Sequence, residues 1–394
     1  MNLQIARRVQ AIKPSPTLAV TARAAEMRAA GHDIIGLGAG EPDFDTPRHI
    51  KQMAVDALNK GYTKYTPVDG IPELKQAIIK KFAQDNQLEY EMKQVLVSCG
   101  GKQSFYNLAQ ALLDPGDEVI IPAPYWVSYP DMVRLASAAP VIVSGGIKQG
   151  FKIMPKQLDA AMTGKTRLFV MNSPSNPTGA HYTPDELAEL GAILKSYPKV
   201  MVATDDMYEH ILWEGTPFKN ILNVCPDLYD RTFVLNGVSK AYAMTGWRIG
   251  YAGGPERLIQ KMKTIQSQST SNPTSISQYA ALAALEGDQS FIEKMVATFK
   301  TRHDFVLASL LKIDGVACLP SQGTFYIFPN MQGVMDRLGI KTDVEFSEFL
   351  IEKAKVALVP GSAFGASGHV RISFATSMAN LEKAMKRLHK VLNA

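Results

Sequence analysis

Short apolar runs recur through the middle of the chain at a spacing that few folds accommodate. They span residues 95–97, 118–121, 140–143, 167–171, 200–203 and 232–235, and most of the segments between them have a helical pattern. Several runs are apolar throughout, which is typical of strands covered on both faces. This alternation predicts an α/β fold with a mostly parallel, doubly wound sheet. Ligands of such sheets bind at the carboxyl ends of strands, so residues that follow these runs are candidate site residues.

The stretch after the last run, FVLNGVSKAYAMTGWRIGYAGG, contains the most distinctive candidate. Lys240 lies in a turn between the run Phe233–Leu235 and a second apolar segment at residues 249–251. Arg248 adds a planar cation suited to a phosphate. Cationic neighbours and partial desolvation both favour the neutral amine of Lys240, which can form a Schiff base with an aldehyde. An isolated Lys–Arg pair in a loop is more often simply solvated, so other strand ends must add support.

Gly-Val-Ser-Lys, followed by Met-Thr-Gly-Trp-Arg-Ile-Gly, resembles the cofactor-lysine signature of the class I aminotransferases, which carry pyridoxal 5′-phosphate. The resemblance implies that Lys240 forms the Schiff base and that Arg248 binds the cofactor phosphate. Some relatives have a serine three residues before the lysine, where this chain has Gly237. That phosphate contact is therefore expected from Ser239 or from the backbone.

A glycine pair follows the first run, in Ser-Cys-Gly-Gly-Lys-Gln, and precedes a helical pattern from Ser104 to Leu113. Gly100, Gly101 and Lys102 would present backbone N–H groups at a helix start, where the helix dipole favours an anion. The glycines by themselves are equally typical of a tight corner. Together with Arg248, they predict a phosphate site.

Two further strand ends contribute Trp126, in PAPYWVSYP, and Asn176, in the rigid turn NSPSNPTG. By composition alone, the tryptophan could pack in a core and the asparagine could satisfy backbone groups of its turn. The resemblance implies that Trp126 stacks on the pyridine ring. It also implies that Asn176 binds the phenolic oxygen of the cofactor and approaches the substrate carboxylate.

A carboxylate ends the apolar run at 200–203, in VATDDMYEH. Burying Asp205 there is costly unless it is paired, and a protonated pyridine nitrogen would pair it and make the ring an electron sink. Asp206 is the alternative if the register shifts by one residue. By the resemblance, Tyr208 donates to the phenolic oxygen.

After residue 285 the pattern changes to long helices at 288–312 and 343–354 with short strands between and after them, which predicts a smaller α+β domain. Arg371 lies in one such strand, near residues 369–374, and needs a carboxylate partner. That partner could be any Asp or Glu of the protein, whereas the resemblance implies the substrate α-carboxylate. The chain is predicted to divide into three parts. Residues 1–47 form an N-terminal arm and part of the small domain, residues 48–285 form a large cofactor-binding domain, and residues 286–394 form a small C-terminal domain.

The resemblance adds candidates in three loops. It implies that the backbone of Gly40, in the loop GEPDFDTP, contacts the substrate. It also implies that Tyr65 contacts a cofactor phosphate across a dimer interface. In one branch of the family, an arginine of the neighbouring subunit, in the stretch after the motif arginine, binds the distal carboxylate of the substrate. Residues 258–301 of this chain contain no arginine, so the expected cation is Lys102, which opens a helix at an end that favours anions. Ser15 and Thr17 could donate from an arm that closes over the site, although helix capping is an equally good role for Thr17.

The resemblance spans residues 13–374 and implies the fold of the fold-type I pyridoxal-phosphate-dependent transferases. It is closest to the bacterial aspartate aminotransferases that recognise acidic substrates through a lysine. Amino acids and 2-oxo acids are the implied substrates, in a homodimer with shared active sites. An aromatic or prephenate aminotransferase, and a cysteine-conjugate β-lyase of the same fold, are the alternatives. A non-catalytic sensor joined to DNA-binding elements ranks last, because no helix-turn-helix segment precedes residue 30.

Charge and composition exclude several other classes. The net charge is +5 and no run of five Lys or Arg exists, so neither nucleic acid nor an anionic membrane is expected as a partner. The three cysteines are scattered, which fits reduced cytoplasmic thiols rather than disulfides or a metal site. No signal peptide and no stretch of 18 apolar residues is found, so a cytoplasmic location is expected.

Overall fold

The structure, a computed structural model, describes residues 3–12, 16–213, 215 and 217–393, and gives only the backbone of residues 16–18 and 21. In chain order the strands are β1 (Ile35–Gly36), β2 (Val95–Ser98), β3 (Glu118–Ala123), β4 (Ala139–Ser144), β5 (Thr166–Asn172), β6 (Met201–Asp205), β7 (Thr232–Gly237), β8 (Gly250–Gly253), β9 (Tyr326–Ile327), β10 (Val356–Ala357), β11 (Val359–Pro360) and β12 (Val370–Ser373).

The helices are α1 (Arg7–Gln10), α2 (Pro16–Ala29), α3 (Arg48–Asn59), α4 (Pro72–Asn86), α5 (Gly101–Leu112), α6 (Tyr129–Leu135), α7 (Pro155–Ala161), α8 (Pro184–Lys195), α9 (Ile221–Val224), α10 (Glu256–Ser267), α11 (Ser275–Glu286), α12 (Ser290–Leu310), α13 (Gln332–Leu338), α14 (Asp343–Phe349) and α15 (Met378–Leu392). Within the described ranges, none of these helices has the length and apolar character needed to cross a membrane.

The main sheet has seven strands in the order β2-β8-β7-β6-β5-β3-β4. Each of the six predicted apolar runs forms one of the strands β2 to β7. Neighbouring strands from β7 to β4 are parallel, and only β8 runs antiparallel to its neighbours β2 and β7. The prediction of a mostly parallel, doubly wound sheet is therefore confirmed.

Both faces of this sheet are buried, as the apolar runs predicted. In β5, Leu168 and Val170 belong to one hydrophobic cluster, whereas Phe169 and Met171 belong to another. Successive side chains of a strand point to opposite faces, so each cluster is a core between the sheet and a helical layer. The edge strand β4 is more exposed than the central strands.

A second, smaller sheet has the order β11-β12-β9 and packs in a hydrophobic cluster of its own with α12 and α15. Strand β1 pairs in parallel with β10, which brings an N-terminal segment beside the C-terminal part of the chain. The helix predicted at 343–354 is α14 followed by a π-helical turn at Leu350–Ala354. The three-part domain division stays a prediction.

Candidate active site

A cavity of about 470 Å³ lies at the carboxyl end of the central parallel strands. Most of the predicted site residues line it: Gly40, Gly101, Lys102, Trp126, Asn176, Asp205, Tyr208, Ser239, Lys240, Arg248 and Arg371. Most come from the ends of β2, β3, β5, β6 and β7 or the turns that follow them, Gly40 comes from the segment after β1, and Arg371 comes from β12 of the smaller sheet. The topology collects these side chains because the carboxyl ends of parallel strands meet at one edge.

Lys240 presents a partly buried amine at the cavity wall. Its Nζ donates to the carbonyl oxygen of Gly40 at 2.5 Å. Burial, assisted by the charge of Arg371, lowers the pKa of Lys240 to about 8. This pKa leaves on the order of a tenth of the amine neutral near pH 7, so Lys240 can act as a nucleophile or as a proton carrier.

Asp205 is a buried carboxylate at the end of β6. Burial raises its pKa to about 6, while hydrogen bonds from the Tyr129 hydroxyl and the Met207 N–H oppose the rise. The carboxylate is therefore mostly ionised at neutral pH and presents a negative charge to the cavity. The alternative, Asp206, instead accepts hydrogen bonds from Thr204 and Asn220 away from the cavity lining.

A cationic, N–H-rich cradle forms where α5 begins. Gly100 precedes the helix at φ +85°, and no side chain caps its N-terminus. Arg248 donates to the carbonyl oxygens of Thr245 at 2.8 Å and Cys99 at 3.3 Å. The φ of +85° favours glycine at this position, and a Cβ there would lie 2.9 Å from the guanidinium carbon of Arg248 and displace the guanidinium. The helix dipole, free N–H groups and guanidinium together favour a phosphate.

Arg371 is buried, with 3% of its surface exposed, yet none of its hydrogen-bond partners among the described residues is an Asp or Glu. Its Nη1 donates to Asn176 Oδ1 at 2.9 Å and its Nη2 to the Gly38 carbonyl at 2.8 Å. Its Nε has no hydrogen-bond partner in the described part of the chain. A buried guanidinium without a carboxylate is costly, and a ligand carboxylate would compensate it.

Lys102 and Trp126 form another wall. The Nζ of Lys102 lies 5.3 Å from the centroid of the Trp126 ring. Partial burial, with the charge of Arg248, lowers the pKa of Lys102, although the residue as a whole is still exposed to solvent at the cavity. The Trp126 ring meets Tyr129 edge to face at 5.1 Å, which fixes its orientation.

Sequence reasoning missed four polar residues at this site. Tyr326 lies 3.2 Å from the Tyr208 hydroxyl, and Glu41 accepts from Thr245 at the rim. Asn172 donates to the Asp205 carbonyl and accepts from the Asn176 N–H, so it links the ends of β5 and β6. Asn172 could have been found as a polar residue ending an apolar run. Nothing in the local sequence distinguishes Tyr129 and Tyr326 from tyrosines that only pack in a core, so the sequence does not indicate a role for them at the site.

Among the predicted residues, Tyr65 and Gly100 do not line the cavity, and Ser15 and the side chain of Thr17 are outside the described part of the chain. Tyr65 is 91% exposed and lies outside the lining. Ser15 is outside the described residues, and Thr17 lies in the first turn of α2 with its side chain outside the described part. Gly100 contacts Arg248 without lining the cavity itself. The roles of these four residues stay predictions.

One group of three potential metal ligands, Asp85, Glu209 and His210, occurs among the described residues. The ammonium of Lys81 contacts the Glu209 carboxylate and lies 3.7 Å from Asp85 Oδ2. This group therefore already has a cation, and the expectation that no metal takes part stays a prediction.

The cavity fits a flat, anionic aldehyde cofactor. The Lys240 amine can bind the aldehyde, and the cradle of Gly101 and Arg248 can bind a phosphate. Trp126 offers a flat wall, and the ionised Asp205 can pair with a protonated ring nitrogen. Arg371 is left to bind a carboxylate of a second molecule.

Comparisons with known proteins agree with this chemistry. A family model described as aminotransferase class I and II matches residues 32–388. An aspartate/prephenate aminotransferase from Nitrosomonas europaea is 58% identical, over 99% of this chain and 100% of its own length. An aspartate aminotransferase from Geobacillus stearothermophilus is 50% identical over 100% of both chains.

Two solved structures are similar over nearly their whole length. The crystal structure of an aspartate aminotransferase from Rhizobium meliloti has a TM-score of 0.96 and 48% identity, and covers 100% of this chain and 99% of its own. A Thermus thermophilus aspartate aminotransferase with maleate has a TM-score of 0.93 and 43% identity, and the match covers 99% of this chain and 100% of the Thermus chain.

Proposed function

Because the chain belongs to the class I and II aminotransferases, which depend on pyridoxal 5′-phosphate, we propose that it is an aspartate aminotransferase. It transfers the amino group of L-aspartate to 2-oxoglutarate and gives oxaloacetate and L-glutamate. The observation that carries this proposal is that two cations, Lys102 and Arg371, line the same cavity as Lys240. A dicarboxylic substrate offers one carboxylate to each. Maleate, in the similar Thermus structure, is also a dicarboxylate.

Arg371 and Asn176 bind the α-carboxylate of the substrate. Arg371 has the fork geometry for two parallel hydrogen bonds, and Asn176 already accepts from its Nη1. The carbonyl of Gly40 contacts Lys240 and so lies beside the place where the amino group must react. Holding the substrate at two ends fixes the α-carbon near the Lys240 amine.

Lys240 moves the proton of the α-carbon. Its lowered pKa supplies the neutral amine that a base needs at neutral pH. The bound cofactor supplies an aldehyde for the amino group and a protonated ring that withdraws electrons from the α-carbon. Asp205 would pair its negative charge with the protonated ring nitrogen, and Gly101, Ser239 and Arg248 would hold the phosphate end.

A panel of amino donors against 2-oxoglutarate tests this function on the purified protein. We expect aspartate and glutamate to be the best donors, with alanine much slower because it leaves Lys102 unpaired. Prephenate belongs in the panel as an acceptor, since a relative at 58% identity is named for it and it also carries two carboxylates. Release of pyruvate from cystathionine, without amino transfer, would instead indicate a β-lyase.

Lys102→Ala is expected to lower kcat/KM for aspartate about 10- to 150-fold, the effect of losing a charged hydrogen bond of about 1.5–3 kcal/mol. Any activity with phenylalanine should be nearly unchanged. Lys102→Arg, which keeps the charge, serves as the matched variant and should retain more aspartate activity. An equal loss for both donors would show that Lys102 serves the cofactor, and no loss would show that only its backbone matters.

We also propose a cytoplasmic homodimer in which Tyr65 reaches the partner's cofactor phosphate. Large apolar side chains are exposed along α3 and the loop that follows: Val55, Leu58, Tyr62 and Tyr65, at 47%, 48%, 41% and 91%. Successive exposed side chains of this kind are typical of an interface. The scattered cysteines, which fit reduced thiols, support the cytoplasmic location.

We also propose that each subunit divides into parts at residues 47/48 and 285/286. The pairing of β1 with β10 supports this division, because it joins an N-terminal segment to the C-terminal part of the chain.

Mixing Tyr65→Ala and Lys240→Ala subunits should restore activity. One site in each heterodimer then has both residues, so random exchange should give about a quarter of wild-type activity. Lys240→Ala mixed with Arg371→Ala is the control, because these two residues line one cavity within a single chain and no site becomes complete. Recovery in neither mixture, after proven subunit exchange, would count against a shared site.

A further inference from the structure

The loop at residues 40–46 is attached to helix α12 by a bidentate ion pair between Asp43 and Arg302. Arg302 donates from Nη1 to Asp43 Oδ1 at 2.7 Å and from Nη2 to Asp43 Oδ2 at 2.9 Å. Two parallel hydrogen bonds fix both the position and the orientation of the carboxylate, as a single contact would not. The pair therefore restrains the loop in a defined place.

Aromatic rings enclose this pair. The guanidinium carbon of Arg302 lies 5.5 Å from the ring centroid of Phe44 and 5.8 Å from that of Phe299. The Arg302 side chain is 10% exposed and that of Asp43 is 27% exposed. Limited exposure reduces screening by solvent, so the pair should hold the loop more firmly than a surface ion pair does.

The same loop is also hydrogen-bonded to the turn that follows Lys240, at residues 243–247. Thr46 donates to the Ala243 carbonyl at 2.6 Å and accepts from the Trp247 indole N–H at 3.0 Å. Glu41 accepts from Thr245 at 2.9 Å. The loop thus connects α12 with the turn at residues 243–247.

Immediately before these attachments, at its first residue, the loop presents Gly40 to the cavity. Its carbonyl accepts from the Lys240 amine, and a Cβ on Gly40 would lie 3.2 Å from the Tyr326 hydroxyl. Just before the loop, the Gly38 carbonyl accepts from Arg371. A shift of this backbone would therefore move atoms that contact both the reacting amine and the carboxylate-binding arginine.

We propose that Arg302 and Asp43 are positioning residues for the amino acid substrate: their ion pair holds loop 40–46 so that Gly40 stays in place beside Lys240 and Arg371. This inference rests on the proposed function, because it assigns the pair a part in binding that substrate. The pair does not line the cavity, and the phosphate cradle of Gly101 and Arg248 lies on other elements. Breaking the pair should therefore weaken the binding of the amino acid more than that of the cofactor.

The test compares Asp43→Asn, Arg302→Gln and the double variant in steady-state kinetics with aspartate and 2-oxoglutarate. Each single change should raise KM for aspartate about 5- to 50-fold, with kcat within about threefold of wild type, because a misplaced binding group costs productive geometry. The double variant should be no worse than the weaker-binding single one, because the two residues act as one unit. Affinity for pyridoxal 5′-phosphate, measured by absorbance titration, should stay within about twofold.

Lys300→Gln is the control, since it removes an exposed ion pair with Asp304 on the same helix and should change none of these values. Thermal unfolding of all four variants separates a local effect from loss of fold. An unchanged KM, multiplicative effects in the double variant, or a parallel fall of cofactor affinity and melting temperature would each overturn the inference. A wild-type protein inactive with aspartate would refute the proposed function instead, and the variants would then be compared with the donor that the panel identifies.

Discussion

Replacing Lys240 with alanine should reduce the transamination rate at least ~10²-fold, because a positioned proton carrier typically contributes 10²- to 10⁴-fold. The Nζ of Lys240 donates to the Gly40 carbonyl, and its pKa of about 8 suits proton transfer near neutrality. Lys240→Arg should lose as much, because a guanidinium keeps its proton and cannot act as a base. Measurement of single-turnover rates with aspartate separates this effect from substrate binding.

Lys165→Ala is the matched control, because Lys165 is exposed and lies outside the cavity. Borohydride treatment of the cofactor-loaded wild type, followed by peptide mapping, should place the covalent label on Lys240. A label on Lys102, or a Lys240→Ala variant with near wild-type turnover, would refute the assignment.

Arg371→Ala should lower kcat/KM for aspartate about 30- to 5,000-fold, since removal of one partner of a buried charged pair costs about 2–5 kcal/mol. The loss should fall mainly on KM, because Arg371 binds the carboxylate before the proton moves. Arg371→Lys keeps the charge without the bidentate geometry, so its kcat/KM for aspartate should lie between those of wild type and Arg371→Ala. Initial rates over a range of aspartate concentrations measure both constants.

Two controls show whether this effect is local. Arg167→Ala removes an exposed arginine of β5 and should leave both constants unchanged. The absorbance of bound cofactor in Arg371→Ala should resemble that of wild type, because Arg371 lies on β12 rather than at the phosphate cradle. Unchanged KM for aspartate in Arg371→Ala would contradict a carboxylate-binding role.

The central sheet and most of the cavity lining could be predicted from the pattern of apolar runs. Apolar runs covered on both faces leave little freedom, and each of the six runs became a strand. Because parallel strands end at one edge, residues after those runs, such as Lys240, Asp205 and Asn176, had to meet.

Which polar groups complete the site depends on strand register and on packing between distant elements. The register of β6 directs Asp205 to the cavity and its neighbour Asp206 to Thr204 and Asn220, because successive side chains of a strand point in opposite directions. Asp43 and Arg302 lie 259 residues apart, and no local pattern encodes a contact across that separation. Tyr129 and Tyr326 gain their partners through packing between elements, which periodicity in the sequence does not report.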